Sequence, residues 1–348
     1  MNFRFQQSLS DIQRRCGWIR LADAPSPVEP LSSLETEFAP RSHLYAKRDE
    51  LYGREFGATK VRKLELFLGM ALRASSKSVL TFGAAGSNHV LATAIHASAL
   101  GLSTTCLVQG RPLGPRAQRN LIATEAAGVR LVNYSCRLMS PEGAALIARE
   151  SDILARHSGT PPFIIPFGGR GPVGAVGSLN GAFELARQIE AGEAPCPDYI
   201  YIASATLGTA AGLALGLKLT GLPTRLIAVR VADSGTEEDL FKVAFQAYQF
   251  LTHYAADFPC VRLTQGQIQL LHDFAQPAYG IAGPETAQAA TVAGRHGLIL
   301  DEAYSAKAFA AYLAAAQRGD FDGKTACFWN TTPRETVVTS VPAGPLGW

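Results

Sequence analysis

The feature that most constrains this chain is an alternation. Short β-branched or apolar runs are each followed by a longer stretch whose apolar residues recur with helical period. A βαβ architecture, with parallel strands covered by helices, uses that grammar from end to end, so the fold class expected is α/β. Leu64, Phe67, Leu68, Ala71 and Leu72 fall at i, i+3, i+4, i+7 and i+8, one apolar helix face ahead of a strand at Val79 to Phe82. A glycine-rich turn follows. The pattern then predicts a helix over 88–100 stopped by Gly101, a strand over 104–108, a helix over 118–127 stopped by Gly128, and strands at 131–134 and 163–166. The second half repeats this with a strand over 199–203, a helix over 210–220 ahead of Gly221, and a strand over 225–231. It closes with helices over 284–296 and 305–318 and strands over 298–300 and 325–330.

Composition narrows the function classes. The 348 residues carry a formal charge of +3 with no run of five like charges, so no nucleic acid and no membrane surface is expected as a partner. Cysteines stand alone at 16, 106, 136, 196, 260 and 327, without a C-x-x-C pair or histidines at ligand spacing. Neither a metal site nor a disulfide framework is indicated. Arg14, Arg15 and Arg20 replace any apolar leader near the start, and the longest unbroken apolar run, 308–316, is nine residues. A cytoplasmic protein without a transmembrane span is therefore the expectation. The length suggests two domains at roughly 150 residues each, interleaved because no low-complexity linker separates them.

Three segments could carry chemistry. Gly83 to His89 lies between a strand and a helix, where small residues and free helix-start amides, with the Ser87 hydroxyl and the Asn88 amide, suit a carboxylate or phosphate. Capping by Ser87 or Asn88 is the plain alternative, and His89 fits a satisfied helix-start histidine. Ser204 to Thr209 follows another strand and offers three hydroxyls without either nucleotide-binding glycine pattern, so one phosphate monoester fits better than a dinucleotide. There too, a simple N-cap is the alternative. Finally, Lys60, Arg62 and Lys63 crowd the start of an amphipathic helix, where cations oppose the macrodipole and need a reason. Function is one reason, and a solvated surface face is the other.

Taken together these segments resemble a known family. Lys47-Arg-Asp-Glu-Leu-Tyr-Gly53, Gly57-Ala-Thr-Lys-Val-Arg-Lys-Leu-Glu65 and Ser87-Asn-His89 are similar to consecutive blocks of the D-cysteine desulfhydrase/ACC (1-aminocyclopropane-1-carboxylate) deaminase family. Ile165 to Gly169, Ser204 to Thr209, Ala278-Tyr-Gly280, Asp301 to Ser305 with Lys307, and Phe328 to Thr331 follow in the family's order, so the match runs from about Leu21 to Thr332. The resemblance implies a pyridoxal 5'-phosphate (PLP) enzyme of the tryptophan synthase β-subunit fold type, with two open twisted sheet domains bearing helices on both faces. It implies a large cofactor-binding domain of residues 1–62 and 171–348, a small α/β domain of 63–170 inserted in it, and a homodimer.

By the family pattern Lys60 is the lysine that bonds the cofactor and later moves the substrate's Cα proton, aided by an amine pKa that Arg62, Lys63 and the cleft depress. Ser204, Ala205, Thr206, Leu207, Gly208 and Thr209 are implied as the phosphate loop. Ser87, Asn88 and His89 are assigned to the substrate, with Asn88 also near the cofactor's phenolic oxygen, and Tyr279 and Tyr304 are the active-site tyrosines. Ser305 is placed at the pyridine nitrogen, where ACC deaminases proper have a glutamate. A hydroxyl there leaves the ring a weaker electron sink, which suffices for β-elimination more readily than for opening a cyclopropane.

The expected reaction is therefore α,β-elimination from a small amino acid with a β leaving group, nominally D-cysteine to pyruvate, sulfide and ammonia. ACC deaminase is the alternative, and a PLP-binding homologue without turnover the second. Several positions depart from the family pattern, among them Thr59, Gly86 in place of a glutamine, and Leu207 in place of a glycine. Arg170 follows the Gly168-Gly169 pair where the family tends to have serine, and its guanidinium is a candidate for a second anionic group on the substrate.

Overall fold

The computed structural model describes residues 3–23, 25–53, 55–111, 114–232, 235–255, 258–274, 277–278 and 281–334. The chain opens with α1 (Phe3–Cys16), β1 (Val28–Pro30), α2 (Ser32–Phe38), β2 (His43–Lys47) and α3 (Thr59–Arg73). It continues through β3 (Ser78–Ala84), α4 (Asn88–Ala99), β4 (Ser103–Gln109), α5 (Gly114–Ala126), β5 (Arg130–Tyr134), α6 (Pro141–Ser158) and β6 (Phe163–Ile165). Next come α7 (Pro172–Glu190), β7 (Tyr199–Ser204), α8 (Gly208–Thr220), β8 (Arg225–Arg230), α9 (Glu237–Tyr254) and β9 (Ile268–Leu271). The short strands β10 (Pro277–Ala278) and β11 (Ile281–Ala282), then α10 (Pro284–Arg295), α11 (Ser305–Arg318) and β12 (Thr325–Trp329), complete it.

Two sheets organise these elements. The larger has the order β1-β2-β12-β7-β8-β9 and is parallel except for the β1–β2 pair. The smaller, β5-β4-β3-β6, is parallel throughout. Strand pleat sends neighbours to opposite faces. In β7, Tyr201 and Ala203 pack with α10 and α11, whereas Ile200 and Ile202 pack with α8 and α9. In β3, Val79 meets α3 and α4, and Leu80 meets α6. Both sheets are thus covered on both faces, which is why central strands such as β7 and β8 are buried along most of their length rather than at alternate positions.

The four strands of the small sheet all come from 78–165, inside the segment expected to form the inserted domain. The expected boundary at 62/63 falls within α3, whose Arg62 is tied to Glu184 of α7 while Leu64 and Phe67 enter the small sheet's core. We propose the division of 1–62 with 171–348 and 63–170 as stated. One predicted strand is absent: 298–300 has no partner strand, because the segment turns outward, with Leu298 buried and Ile299 71% exposed.

Close helix packing sets the position of α3. A Cβ on Gly177 of α7 would lie 2.6 Å from the Arg62 carbonyl oxygen, and one on Gly212 of α8 would lie 2.0 Å from that of Ala175. Glycine at those two places lets three helices approach backbone to backbone. Beneath α3 sits a buried polar network. Arg62 donates to Asp49 Oδ1 (2.6 Å) and to Glu184 Oε1 (2.8 Å), and Lys47 Nζ donates to Glu184 Oε1 (2.6 Å), Gln188 Oε1 (2.6 Å) and the Ser26 carbonyl oxygen (2.7 Å). Two cations meet two carboxylates there, with the Arg62 guanidinium 3.6 Å from the Tyr52 ring centre. The reason for Arg62 is therefore structural: it anchors the start of α3.

Candidate active site

The strands of both sheets end at one cleft of about 330 Å³, the crevice at strand C-termini where open α/β sheets take ligands. Lys60, Ser87, Asn88, His89, Ser204, Ala205, Thr206, Leu207, Thr209 and Tyr304 all line it, so residues up to 244 positions apart in sequence converge as expected. Gly208 belongs to the same turn.

Lys60 stands in the first turn of α3. Its amine pKa is lowered from 10.5 to about 8, chiefly by desolvation, with the Asp301 carboxylate opposing. Two residues earlier, Ala58 holds φ 49° and ψ −129°, a conformation natural to glycine. Leu207, at the start of α8, also has positive φ (59°). Strained backbone therefore sits at both ends of the cleft, where function commonly stores it.

The Ser204–Thr209 turn is not a plain cap. Leu207 occupies the N-cap of α8 and provides no side-chain hydrogen bond, so among the described residues the helix start has no side-chain cap. The Ser204 hydroxyl is buried without a hydrogen-bond partner among the described residues, and so is the Lys63 amine. Lys63 Nζ lies 3.4 Å from where a Cβ on Gly208 would stand. Burial and then the nearby Lys60 charge push the Lys63 amine well below a lysine's usual value. A buried amine, a buried hydroxyl and an uncapped helix start around one point fit a phosphate monoester. The sequence suggests Lys63 only as a charge that depresses Lys60, whereas desolvation lowers the Lys60 amine and neither Arg62 nor Lys63 is among the causes.

On the facing wall Ser87 caps α4, its Oγ accepting from the His89 amide (3.2 Å). Asn120 Nδ2 of α5 donates to Asn88 Oδ1 (2.7 Å) and to the Gly86 carbonyl oxygen (3.0 Å). With its oxygen so engaged, Asn88 is held in place at the cleft wall. Asn120 was not foreseen, since nothing in its sequence neighbourhood marks it. His89 is buried, with Nε2 on Thr81 Oγ1 (3.1 Å) and Nδ1 unpaired among the described residues. Burial first, then the Lys60 and Lys63 charges, hold its imidazole neutral, so it is a lining group rather than an anion receptor.

Two expected residues are placed elsewhere. Ser305 lies buried behind Tyr304, its Oγ donating to Asp301 Oδ2 (3.0 Å) and touching Thr332 Oγ1, while the Tyr304 amide donates to Asp301 Oδ1 (2.7 Å). Asp301 and Thr332 thus hold the Tyr304–Ser305 turn, a role the sequence did not disclose. Arg170 is exposed and outside the cleft lining, because the left-handed turn at Gly168 and Gly169 carries the chain away from it. Tyr279 lies outside the described residues.

Comparisons with known proteins supply the family. The family described as pyridoxal-phosphate dependent enzymes matches residues 19–332. Among curated relatives, a nocardicin C-9' epimerase of Nocardia uniformis subsp. tsuyamanensis is 36% identical over 94% of this chain and 96% of its own. A D-cysteine desulfhydrase of Salmonella paratyphi A is 32% identical over 87% of this chain and 90% of its own. Among solved structures, an ACC deaminase homologue superposes with a TM-score of 0.79 at 27% identity, covering 96% of each chain. A threonine deaminase from Solanum lycopersicum, at 18% identity, shares the fold with a TM-score of 0.61. The buried orphans around Gly208 and the lowered Lys60 amine meet the needs of the same cofactor from the chemistry side. The chain belongs to the family of pyridoxal-phosphate dependent enzymes of fold type II, in its D-cysteine desulfhydrase/ACC deaminase group.

Proposed function

We propose that this enzyme catalyses α,β-elimination from an amino acid bearing a β leaving group, with D-cysteine to pyruvate, sulfide and ammonia as the nominal reaction. The observation that carries the reading is Lys60: a cleft-lining amine whose pKa is lowered to about 8, so that about a tenth of it is unprotonated at pH 7, several hundred times the share of an ordinary lysine. Bound PLP supplies an electron sink conjugated to the substrate's α-carbon. Lys60 would hold the cofactor through its amine and would take the Cα proton of the substrate. The Ser87 hydroxyl, the Asn88 amide hydrogens and the α4 amides receive the α-carboxylate, fixing the Cα–H bond toward Lys60. Lys63, Ser204 and the α8 amides hold the phosphate. Tyr304 faces the β-substituent as the acid for its departure.

Epimerisation is the second reading, favoured by the 36% identity to an epimerase over nearly the full chain. It needs the same Lys60 step but returns a proton to the opposite face of Cα. A screen of D-cysteine, L-cysteine, L-cysteate, D-serine and ACC, read by keto-acid release, tests the proposal. Keto acid from a β-substituted substrate and none from ACC is expected. Exchange of the α-hydrogen with inversion, and no keto acid from any of them, overturns elimination in favour of epimerisation.

A further inference from the structure

A second cavity, of about 530 Å³, opens beside the cofactor cleft and shares Ala84, Ser87, Asn88 and Tyr304 with it. Any substrate whose carboxylate rests on Ser87 and Asn88 therefore has this space within reach of its side chain. A cysteine side chain is one CH2 and one sulfur, so a cavity of this size is far more than the nominal substrate needs.

The far wall of that cavity is basic. Arg111, Arg116 and Arg119 line it, against the carboxylates of Asp301 and Glu302. Asp301 is already engaged by the Tyr304 amide, the Ser305 hydroxyl and the Thr332 hydroxyl. Glu302 is exposed. Arg116 is the partly buried one of the three arginines: one arm donates to the Pro333 carbonyl oxygen, and Nε is buried without a partner among the described residues. A guanidinium whose Nη2 is engaged and whose Nε is closed off keeps one prong of its fork for a charge-assisted contact with a carboxylate or sulfonate in the cavity.

Gly86 explains why the fork is there. A Cβ at position 86 would lie 2.2 Å from the Ala117 carbonyl oxygen, so only glycine lets the first turn of α5 rest on the loop that carries Ser87. The resembling family has a glutamine at this place. Its replacement by glycine seats Arg116, the neighbour of Ala117, beside the substrate loop.

We propose that this second cavity receives the substrate's side chain, and that this side chain extends several atoms and ends in a carboxylate or sulfonate bound by Arg116. The proposal rests on the reading of the cleft as an amino-acid site. It replaces Arg170, which is exposed, with Arg116 as the receptor for a second anion.

The test is equilibrium dialysis of the holoenzyme against each enantiomer of 2-aminoadipate and of norleucine, which have tails of similar length with and without the terminal carboxylate. Aminoadipate is expected to bind about ten- to a hundredfold more tightly, the span of a charge-assisted hydrogen-bonded contact. Arg116→Met brings the ratio near one, and Arg116→Lys restores part of it. Equal affinities in the wild-type protein overturn the proposal, as does a ratio that survives in Arg116→Met. If β-substituted amino acids release keto acid while norleucine binds as well as aminoadipate, this inference fails and the elimination reading stands. If neither ligand binds and no amino acid reacts, both fail.

Discussion

Replacing Glu184 by glutamine isolates the buried charge network that seats the start of α3. In the native protein the Glu184 carboxylate is held by Arg62 and Lys47, and its pKa is lowered from 4.5 to about 2 although burial alone would raise it. That shift corresponds to about 3 kcal/mol at 1.36 kcal/mol per unit. Because the folded-state pKa lies below the unfolded one, the stabilisation is complete above the unfolded value and is lost as pH falls from about 4.5 towards 2. Glu184→Gln keeps the shape and one acceptor oxygen but leaves Lys47 and Arg62 with only the Asp49 charge. The expected cost at neutral pH is about 3 kcal/mol or somewhat more, since breaking a buried pair exposes an uncompensated cation. At pH 3 the native carboxylate has itself lost most of the benefit, so the difference between the two proteins shrinks by about 2 kcal/mol. Urea unfolding at the two pH values measures this directly. A penalty of the same size at both would show that the network does not derive its strength from the Glu184 charge.

Other outcomes follow from the same geometry. Lys63→Met weakens cofactor retention on dialysis by about ten- to a hundredfold while leaving the cofactor-free protein as stable or more so, because a buried unpaired amine costs about 1–3 kcal/mol. Full retention would remove Lys63 from the phosphate site. Ala58→Gly is expected to change stability by no more than about 1 kcal/mol, since relief of positive-φ strain offsets the lost methyl and the added chain entropy, whereas Ala71→Gly, at a buried position in the last turn of α3, costs about 1–2 kcal/mol in the same thermal assay. Equal losses at the two sites would refute the strain. In the cofactor-free protein, the rate of pyridoxal phosphate uptake by Lys60 rises with pH to a half-maximum near about 8, followed by absorbance, because only the unprotonated amine reacts. A half-maximum near an ordinary lysine's 10.5 would contradict the desolvation of Lys60.

The residues that sequence alone revealed share one property: their chemistry is local. A strand followed by small residues and a helix start is legible at Gly83–His89 and at Ser204–Thr209, and both turns do lie at strand ends facing the cleft. Long-range roles were not legible. The three cations at the start of α3 look alike in sequence, yet Arg62 is neutralised by Asp49 and by Glu184, 122 positions away, while Lys63 is left bare beside Gly208. Helix α7 is not legible in the sequence pattern, because Gly174, Gly177 and Gly181 carry no side chain to mark its face, yet they are the contact positions that admit α3 and α8. The 298–300 segment has strand-like residues and no strand to pair with. Arg170 follows a recognisable glycine pair, but the direction in which that turn sends its side chain depends on two positive φ angles that composition does not encode.

Borohydride reduction of the holoenzyme, followed by peptide mapping, bears most directly on the whole account. The prediction is a single cofactor adduct on Lys60, in the tryptic peptide running from Glu55 to Arg62, and none on the neighbouring Lys63. An adduct on Lys63, or on any lysine outside the cleft, would contradict the assignment of every residue placed around that amine.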